Sequence, residues 1–327
     1  MTHATSVIPP DLPYELRAAL NAKLESLARD DIAARAAQIS KTYRDGGNSR
    51  VIASQADALA YALVRMPATY VAVTASVNAL CEVRPDLAPV SLLDVGAGPG
   101  TASWAAAEAF SSLRNFTLLD INAALQTLAL DLGREHTRLG AMTCRRDPHA
   151  LDEVDAADLV IASYLIGEVS EIERRRLTER LWAKTRDTLL VVEPGTPAGF
   201  ARIIALRRQL IADGAHVAAP CPYDGACPLQ APDWCHFAQR LPRLRAHIQI
   251  KGAELPFEDE KFSYVVLTRT PVIRGFSRVL APPVVSKIEV SAKLCMADGV
   301  ELAKVPRRDK AGYAKARRWR WGEALFD

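Results

Sequence analysis

Apolar residues recur at helical spacing through the first part of the chain. Leu16, Leu20, Leu24, Leu27, Ile32, Ala36 and Ile39 fall on one i, i+3/i+4 stripe, the mark of a helix with one buried face. Asp45-Gly46-Gly47-Asn48-Ser49 breaks the stripe. The pattern then predicts a helix over 54–64, an interruption at Pro67 and a further helix over 70–81. Residues 1–85 therefore read as a helical domain that packs on its neighbour or caps a substrate site.

From Val90 the period changes. Short apolar runs at 91–95, 116–119, 158–162 and 188–192 alternate with helical stretches at 101–110, 123–134 and 171–184. That alternation predicts parallel strands joined by crossover helices, an α/β Rossmann-like sheet over 86–205. A later apolar run at 264–268 completes the sheet. Between 205 and 262 the rhythm fails. Pro220, Pro222, Pro228 and Pro232 stand there with three cysteines and Trp234. Linkers are not rich in Cys and Trp, so residues 206–262 read as an ordered, Cys-rich insertion. Residues 263–327 hold the last sheet strand, two further strands over 287–294 and 300–305, and a basic C-terminal extension.

Composition narrows the classes. The chain has 327 residues, 49% hydrophobic and 24% charged, with a formal charge of +3, which is an ordinary globular composition. No uninterrupted apolar run approaches the ~20 residues that span a bilayer, so no membrane partner is expected. Residues 1–12 lack both the apolar core of a secretory signal and the Arg-rich pattern of a transit peptide. The expectation is a cytoplasmic protein, in which six cysteines do not make a disulfide framework.

The sharpest local motif is Leu92-Leu93-Asp94-Val95-Gly96-Ala97-Gly98-Pro99-Gly100. An apolar strand ends in an acid, and a G-x-G-x-G loop runs into a helix. Glycine serves where the chain turns sharply and a ligand must approach the backbone. Dinucleotide-binding folds use G-x-G-x-x-G instead. The spacing here resembles the first motif of class I S-adenosylmethionine (SAM) methyltransferases, which places Asp94, Gly96, Ala97, Gly98 and Gly100 around the cofactor. One βα unit later, a strand ends at Asp120. A carboxylate there accepts hydrogen bonds from both ribose hydroxyls, or else caps the helix starting near Ala123. Arg146-Asp147 is placed to flank the adenine. Ser163 and Tyr164, at the end of the fourth strand, face substrate and sulfonium, and Glu193 to Pro197 closes the fifth strand beside the pocket. No N-P-P-Y or D-P-P-Y follows the fourth strand, so exocyclic-amine methylation is not indicated. Pro220-Cys221 lies too far downstream for the nucleophile of a cytosine-5 methyltransferase, and no DNA partner is expected.

Cys221, Cys227 and Cys235 crowd a proline-rich segment, and Cys295 follows a predicted strand far downstream. Four thiolates suit zinc or an iron–sulfur cluster. The spacing lacks the C-x2-C pair of zinc knuckles, which favours iron–sulfur. Buried structural cysteines are the plainer alternative, and it is the preferred one for Cys81 and Cys144. His236 adjoins Cys235 without being counted as a ligand. The C-terminal extension carries Lys304, Arg307, Arg308, Lys310, Lys315, Arg317, Arg318 and Arg320, interleaved with Tyr313, Trp319 and Trp321. Arg207, Arg208, Arg240, Arg243 and Arg245 flank the cysteine segment. Basic residues neutralise phosphates and aromatic planes stack on exposed bases.

Several runs together resemble one family. They are Val192-Glu193-Pro194-Gly195-Thr196-Pro197-Ala198-Gly199-Phe200, Ala219-Pro220-Cys221-Pro222, Cys227-Pro228-Leu229, Asp233-Trp234-Cys235-His236-Phe237 and Asp259-Glu260-Lys261-Phe262-Ser263-Tyr264. Tyr61 to Tyr70 and Pro306-Arg307-Arg308-Asp309 extend the likeness over most of the chain. The sequence is similar to the methyltransferase-like assembly factors of the small ribosomal subunit, found in mitochondria and bacteria. That resemblance implies a class I methyltransferase fold, a four-iron, four-sulfur cluster on Cys221, Cys227, Cys235 and Cys295, and the small ribosomal subunit or its rRNA as partner. It leaves open whether the chain methylates rRNA or serves assembly with its methyltransferase fold as a platform. With no transit pattern, the expected setting is a bacterial cytoplasm. The reading from a different class is a small-molecule or protein methyltransferase with a structural zinc.

Overall fold

The computed structural model describes residues 7–25, 29–44, 47–147, 149–243, 255–272 and 275–326. Three helices lead: α1 (Tyr14–Glu25), α2 (Arg29–Arg44) and α3 (Gln55–Val83). Ser54 and Asp57 cap α3 reciprocally, the Ser54 side chain accepting from the Asp57 amide and the Asp57 carboxylate from the Ser54 amide. The expected break at Pro67 does not occur. Pro67 lies buried within the continuous helix. The lost bond to the Leu63 carbonyl costs about 3 kcal/mol. Burial of Leu59, Leu63, Met66, Tyr70, Val73, Val77 and Leu80 returns about 1.5–3 kcal/mol for each large side chain. By length and composition α3 would cross a bilayer, yet it is mostly covered by protein and packs on α2, on helices α4 (Thr101–Ala109) and α5 (Ala123–Gly133), and on β8 (Phe257–Thr268) of the sheet. A helix apolar all round is here a core helix.

The sheet begins with β1 (Ser91–Val95), β2 (Asn115–Leu119), β3 (Thr143–Arg145), β4 (Ala157–Ser163) and β5 (Thr185–Pro194), separated by α4, α5, α6 (Ala150–Glu153) and α7 (Glu171–Ala183). After α8 (Pro197–Ala212) come β6 (His216–Ala219) and β7 (Phe237–Pro242), which precede β8. The strand order is β3-β2-β1-β4-β5-β8-β6, with β7 paired to β8. The first five strands are parallel, and β8 runs antiparallel to β5 and β6. This is a mixed Rossmann-like α/β sheet. Successive residues of each strand serve opposite layers, as the period of two requires. Leu92, Leu118, Ile161 and Leu190 face α3, α4 and α5. Leu93, Val160, Leu189 and Val191 face α6, α7 and α8.

Two boundaries differ from the sequence expectation. The rhythm does not fail at 205, because α8 continues to Ala212 and β6 joins the main sheet. The irregular, Cys-bearing stretch is confined to residues 220–236, between β6 and β7. Proline blocks regular pairing there, whereas the apolar residues before it still find the core. Beyond the main sheet, β9 (Phe276–Val279), β10 (Val284–Val285), β11 (Glu289–Met296), β12 (Gly299–Pro306) and β13 (Ala324–Phe326) form a second, antiparallel sheet. Its small core is Val279, Ala292 and Leu294, and α9 (Lys310–Ala316) packs beside β11 and β12.

Candidate functional site

The loop after β1 turns on three glycines with positive φ: +70° at Gly96, +54° at Gly98 and +80° at Gly100. A Cβ at Gly96 would stand 2.8 Å from Leu165 Cδ1, while one at Gly98 would meet nothing within 4 Å. Gly98 therefore faces open space. The amides of Gly96 and Ala97 donate to the Leu119 carbonyl at 2.8 and 3.0 Å, tying the loop to the end of β2. Asp120 Oδ2 accepts from the Gly98 amide at 2.7 Å and its Oδ1 from the Asn122 amide at 2.8 Å. Asn122, not Asp120, caps α5. That removes the capping alternative for Asp120 and shows it shaping the glycine loop.

Gly96, Ala97, Gly98, Asp120, Ser163 and Tyr164 line one cleft of about 420 Å³, a size typical of small-molecule sites. Asp147 lines it as well. Asp94 and Gly100 stand behind the wall. Asp94 is fully buried, its Oδ2 accepting from the Ser103 amide and hydroxyl at 3.1 and 2.8 Å, so it anchors the first turn of α4. Its Oδ1 has no hydrogen-bond partner. Burial pushes its carboxyl up to about 7. Tyr164 holds a left-handed backbone, φ 56°, and its hydroxyl donates to Glu260 at 2.8 Å. Glu193 turns away from the expected pocket and pairs with Arg202 at 2.7 Å.

The cleft also contains residues with no signal in the motif. Tyr43, Asn48, Ser49 and Tyr61 come from the helical region and close one side, which supports its reading as a cap. The Tyr43 and Tyr61 rings lie 6.0 Å apart. Glu168, in the run after β4, is pushed up to about 7 by burial, only partly offset by hydrogen bonds from the Ser49 amide and Tyr43. A spacing rule could have marked Glu168, which closes the fourth-strand motif. Nothing local marks the tyrosines.

Cys221, Cys227, Cys235 and Cys295 line a second, smaller cavity with Arg207 and Tyr264. The fold brings Cys295, on β11, to the three in the irregular stretch. All four are free thiols. Burial pushes the Cys221 and Cys235 thiols upward and Cys295 to about 12. Among the described residues no group of three or more His, Cys, Asp or Glu converges closely enough to hold a metal ion. Nearby, Trp234 stacks on His236, and Trp321 meets His236 edge-on and donates to its carbonyl at 3.1 Å.

The basic residues divide. All eight of the C-terminal extension are exposed at its surface. Its aromatics are not free planes: Trp321 packs on His236, Trp319 on the core of the second sheet, and the Tyr313 hydroxyl donates to the Ser286 carbonyl. Around the cysteines, Arg207 is buried, Arg208 is exposed, and Arg240 and Arg243 pair with Asp259 and Glu258. Arg245 lies outside the described residues.

With this geometry in place, the family can be assigned. A family model described as mitochondrial small ribosomal subunit Rsm22 matches residues 55–326. The chain belongs to the Rsm22 family. It is 28% identical to the human mitochondrial ribosome assembly protein METTL17 over 82% of this chain and 62% of that one. It is 26% identical to the mitochondrial Rsm22-cox11 tandem protein 2 of Schizosaccharomyces pombe (strain 972 / ATCC 24843), over 81% of this chain and 42% of that protein. The chain thus spans less than two thirds of the length of these curated relatives. Among solved structures, it is similar to the magnesium protoporphyrin IX methyltransferase of Synechocystis PCC 6803 with bound SAM, at 14% identity and a TM-score of 0.40 over 62% of this chain and 80% of that one.

The expectation of a bacterial cytoplasmic protein is overturned. The matching family model and both relatives are described as mitochondrial. A missing leader pattern samples only the first few residues, whereas the family match runs through most of the chain.

Proposed function

We propose that this Rsm22-family chain is a SAM-binding, methyltransferase-like factor in assembly of the small ribosomal subunit, with an iron–sulfur cluster in its thiol cavity. The observation that carries the first half is the cleft beside Gly98, where the loop leaves open space and Asp120 fixes the loop amide. Gly96, Ala97, Gly98, Asp120, Ser163 and Tyr164 would hold SAM, which supplies an electrophilic methyl group when bound. Asp120 directs a carboxylate toward ribose hydroxyls while keeping the Gly98 amide in place. Asp94 fixes the start of α4, and Gly100 permits the turn into it. Glu168, with Tyr43 beside it, holds or releases a proton near neutral pH, the range in which a general base works.

Cys221, Cys227, Cys235 and Cys295 would hold a four-iron, four-sulfur cluster, which supplies a cross-link between the irregular stretch and the second sheet. A single zinc needs its four thiolates within about 2.3 Å of one point. Four thiols lining one cavity are the donor set of either group, and the spacing without a C-x2-C pair favours the cluster. The exposed arginines and lysines of the extension would contact rRNA phosphates, while inward-turned Trp321 holds the extension to the cysteine stretch.

The test is anaerobic purification with iron, sulfide, zinc and absorbance measured on one sample, then SAM calorimetry and co-sedimentation with small ribosomal subunits. About four irons per chain, SAM binding and co-sedimentation are expected. Zinc without iron would replace the cluster with a structural zinc, and failure to co-sediment would remove the ribosomal role.

A further inference from the structure

Arginine is seldom buried, and a desolvated cation with no anion costs several kcal/mol. Two arginines are buried beside the thiol cavity: Arg278 at 0% exposure and Arg207 at 4%. Arg278 Nε donates to the Pro220 carbonyl at 3.1 Å, and its Nη1 donates to the Gly322 carbonyl at 2.8 Å and pairs with Glu82 at 3.3 Å. Its Nη2 has no partner. Arg207 donates through Nη2 to the Tyr223 carbonyl at 2.9 Å, while its Nε has none. Among the described residues no carboxylate forms an ion pair with Arg207.

Both side chains belong to the thiol neighbourhood. Arg207, on α8, lines the same cavity as the four cysteines. Arg278 and Cys295 are register partners on the antiparallel strands β9 and β11, and the Pro220 carbonyl that Arg278 holds immediately precedes Cys221. A neutral thiol offsets no cation. Four thiolates, however, outweigh the positive charge of the metal core they bind and leave surplus negative charge inside the protein.

Resting on the cluster reading above, we propose that Arg207 and Arg278 are positioning residues for the metal–thiolate site. Their unpaired N–H groups donate to its sulfurs, and the charge of Arg207, with the part of Arg278's charge not taken up by Glu82, offsets its surplus negative charge. Hydrogen bonds and positive charge near such sulfurs favour the more negative, reduced state and raise the reduction potential. Arg278 also reaches Glu82 of α3 and Gly322 of the extension, so the same side chain ties the site to both.

The test uses the full chain, purified anaerobically as wild type, Arg207→Gln, Arg278→Gln and Arg278→Lys. Iron and sulfide content, midpoint potential and the rate of iron loss to a chelator are measured on each, with circular dichroism as the check on folding. Each Gln variant should shift the reduction equilibrium about tenfold, or about 59 mV more negative for a one-electron couple. Each should also lose iron about tenfold faster. Arg278→Lys should recover most of the potential. If Arg278→Gln fails to fold, Arg207→Gln carries the test alone, since α8 lies outside the sheet. Gln variants with wild-type potential and iron retention would overturn the arginine role and leave the cluster standing. A wild type without iron and sulfide would overturn the cluster reading and this role with it.

Discussion

The cleft beside Gly98 and the cavity lined by the four cysteines lie on the same mixed sheet but are made of different materials. The cleft is mostly backbone: three glycines at positive φ, two amides on the Leu119 carbonyl, and one carboxylate holding the Gly98 amide. The cavity is mostly side chain: four thiols, three from the stretch before β7 and one from the second sheet, with buried arginines around them. A backbone site is set up by neighbours in sequence and exists once β1, β2 and α4 have packed. A side-chain site drawn from β11 and the stretch before β7 exists only when the second sheet has docked. The two should therefore fail separately.

The largest effect is expected from Cys227→Ser. It should abolish metal retention and loosen the second sheet, because a thiolate ligand is removed, while SAM affinity stays near wild type. Full metal content in this variant, measured by elemental analysis, would break the four-cysteine assignment. The converse is Gly96→Val. Its Cβ would press on Leu165 at 2.8 Å and force a β-branched residue to φ +70°. SAM binding should weaken at least about tenfold with metal content unchanged, as calorimetry would register.

Asp94→Asn sharpens the cleft side through pH. Burial raises the Asp94 carboxyl to about 7, above its ordinary value near 3.9. The folded protein therefore holds this proton more tightly than the unfolded chain. That stabilisation is complete below about pH 4 and is lost as pH rises through about 7. Asn keeps an acceptor for Ser103 but does not titrate. Urea unfolding of the variant should change less between pH 4 and 7, by about a few kcal/mol, and parallel profiles for the two proteins would remove Asp94 as the cause. The smallest effect belongs to the exposed extension. Replacing Arg307 and Arg308 with alanine should weaken rRNA binding uniformly and reduce the salt slope by about 1 for each phosphate left without its arginine, with both sites unaffected. An unchanged slope in binding titrations would take these residues out of the interface.

Much of the cleft was legible in the chain because its requirements are local. Gly96, Gly98 and Gly100 announce a turn that side chains resist, and Asp120 ends a strand one unit later. Tyr43, Tyr61 and Glu168 were not legible as one wall, since the helical region, the loop after it and the run after β4 meet only in three dimensions. The cysteines were readable as a set, but not the arginines among them. Arg207 and Arg208 are adjacent in sequence, yet one is buried and the other exposed.

The sequence by itself determined the alternation of strand and helix, the glycine turn and the basic character of the extension. These follow from side-chain period, backbone freedom and charge, each a property of neighbouring residues. Only the tertiary structure decided that Pro67 stays inside α3, that Trp319 and Trp321 turn inward, and that Arg278 is buried opposite Cys295. Burial and charge pairing are settled between residues far apart in the chain, where packing energy outweighs local preference.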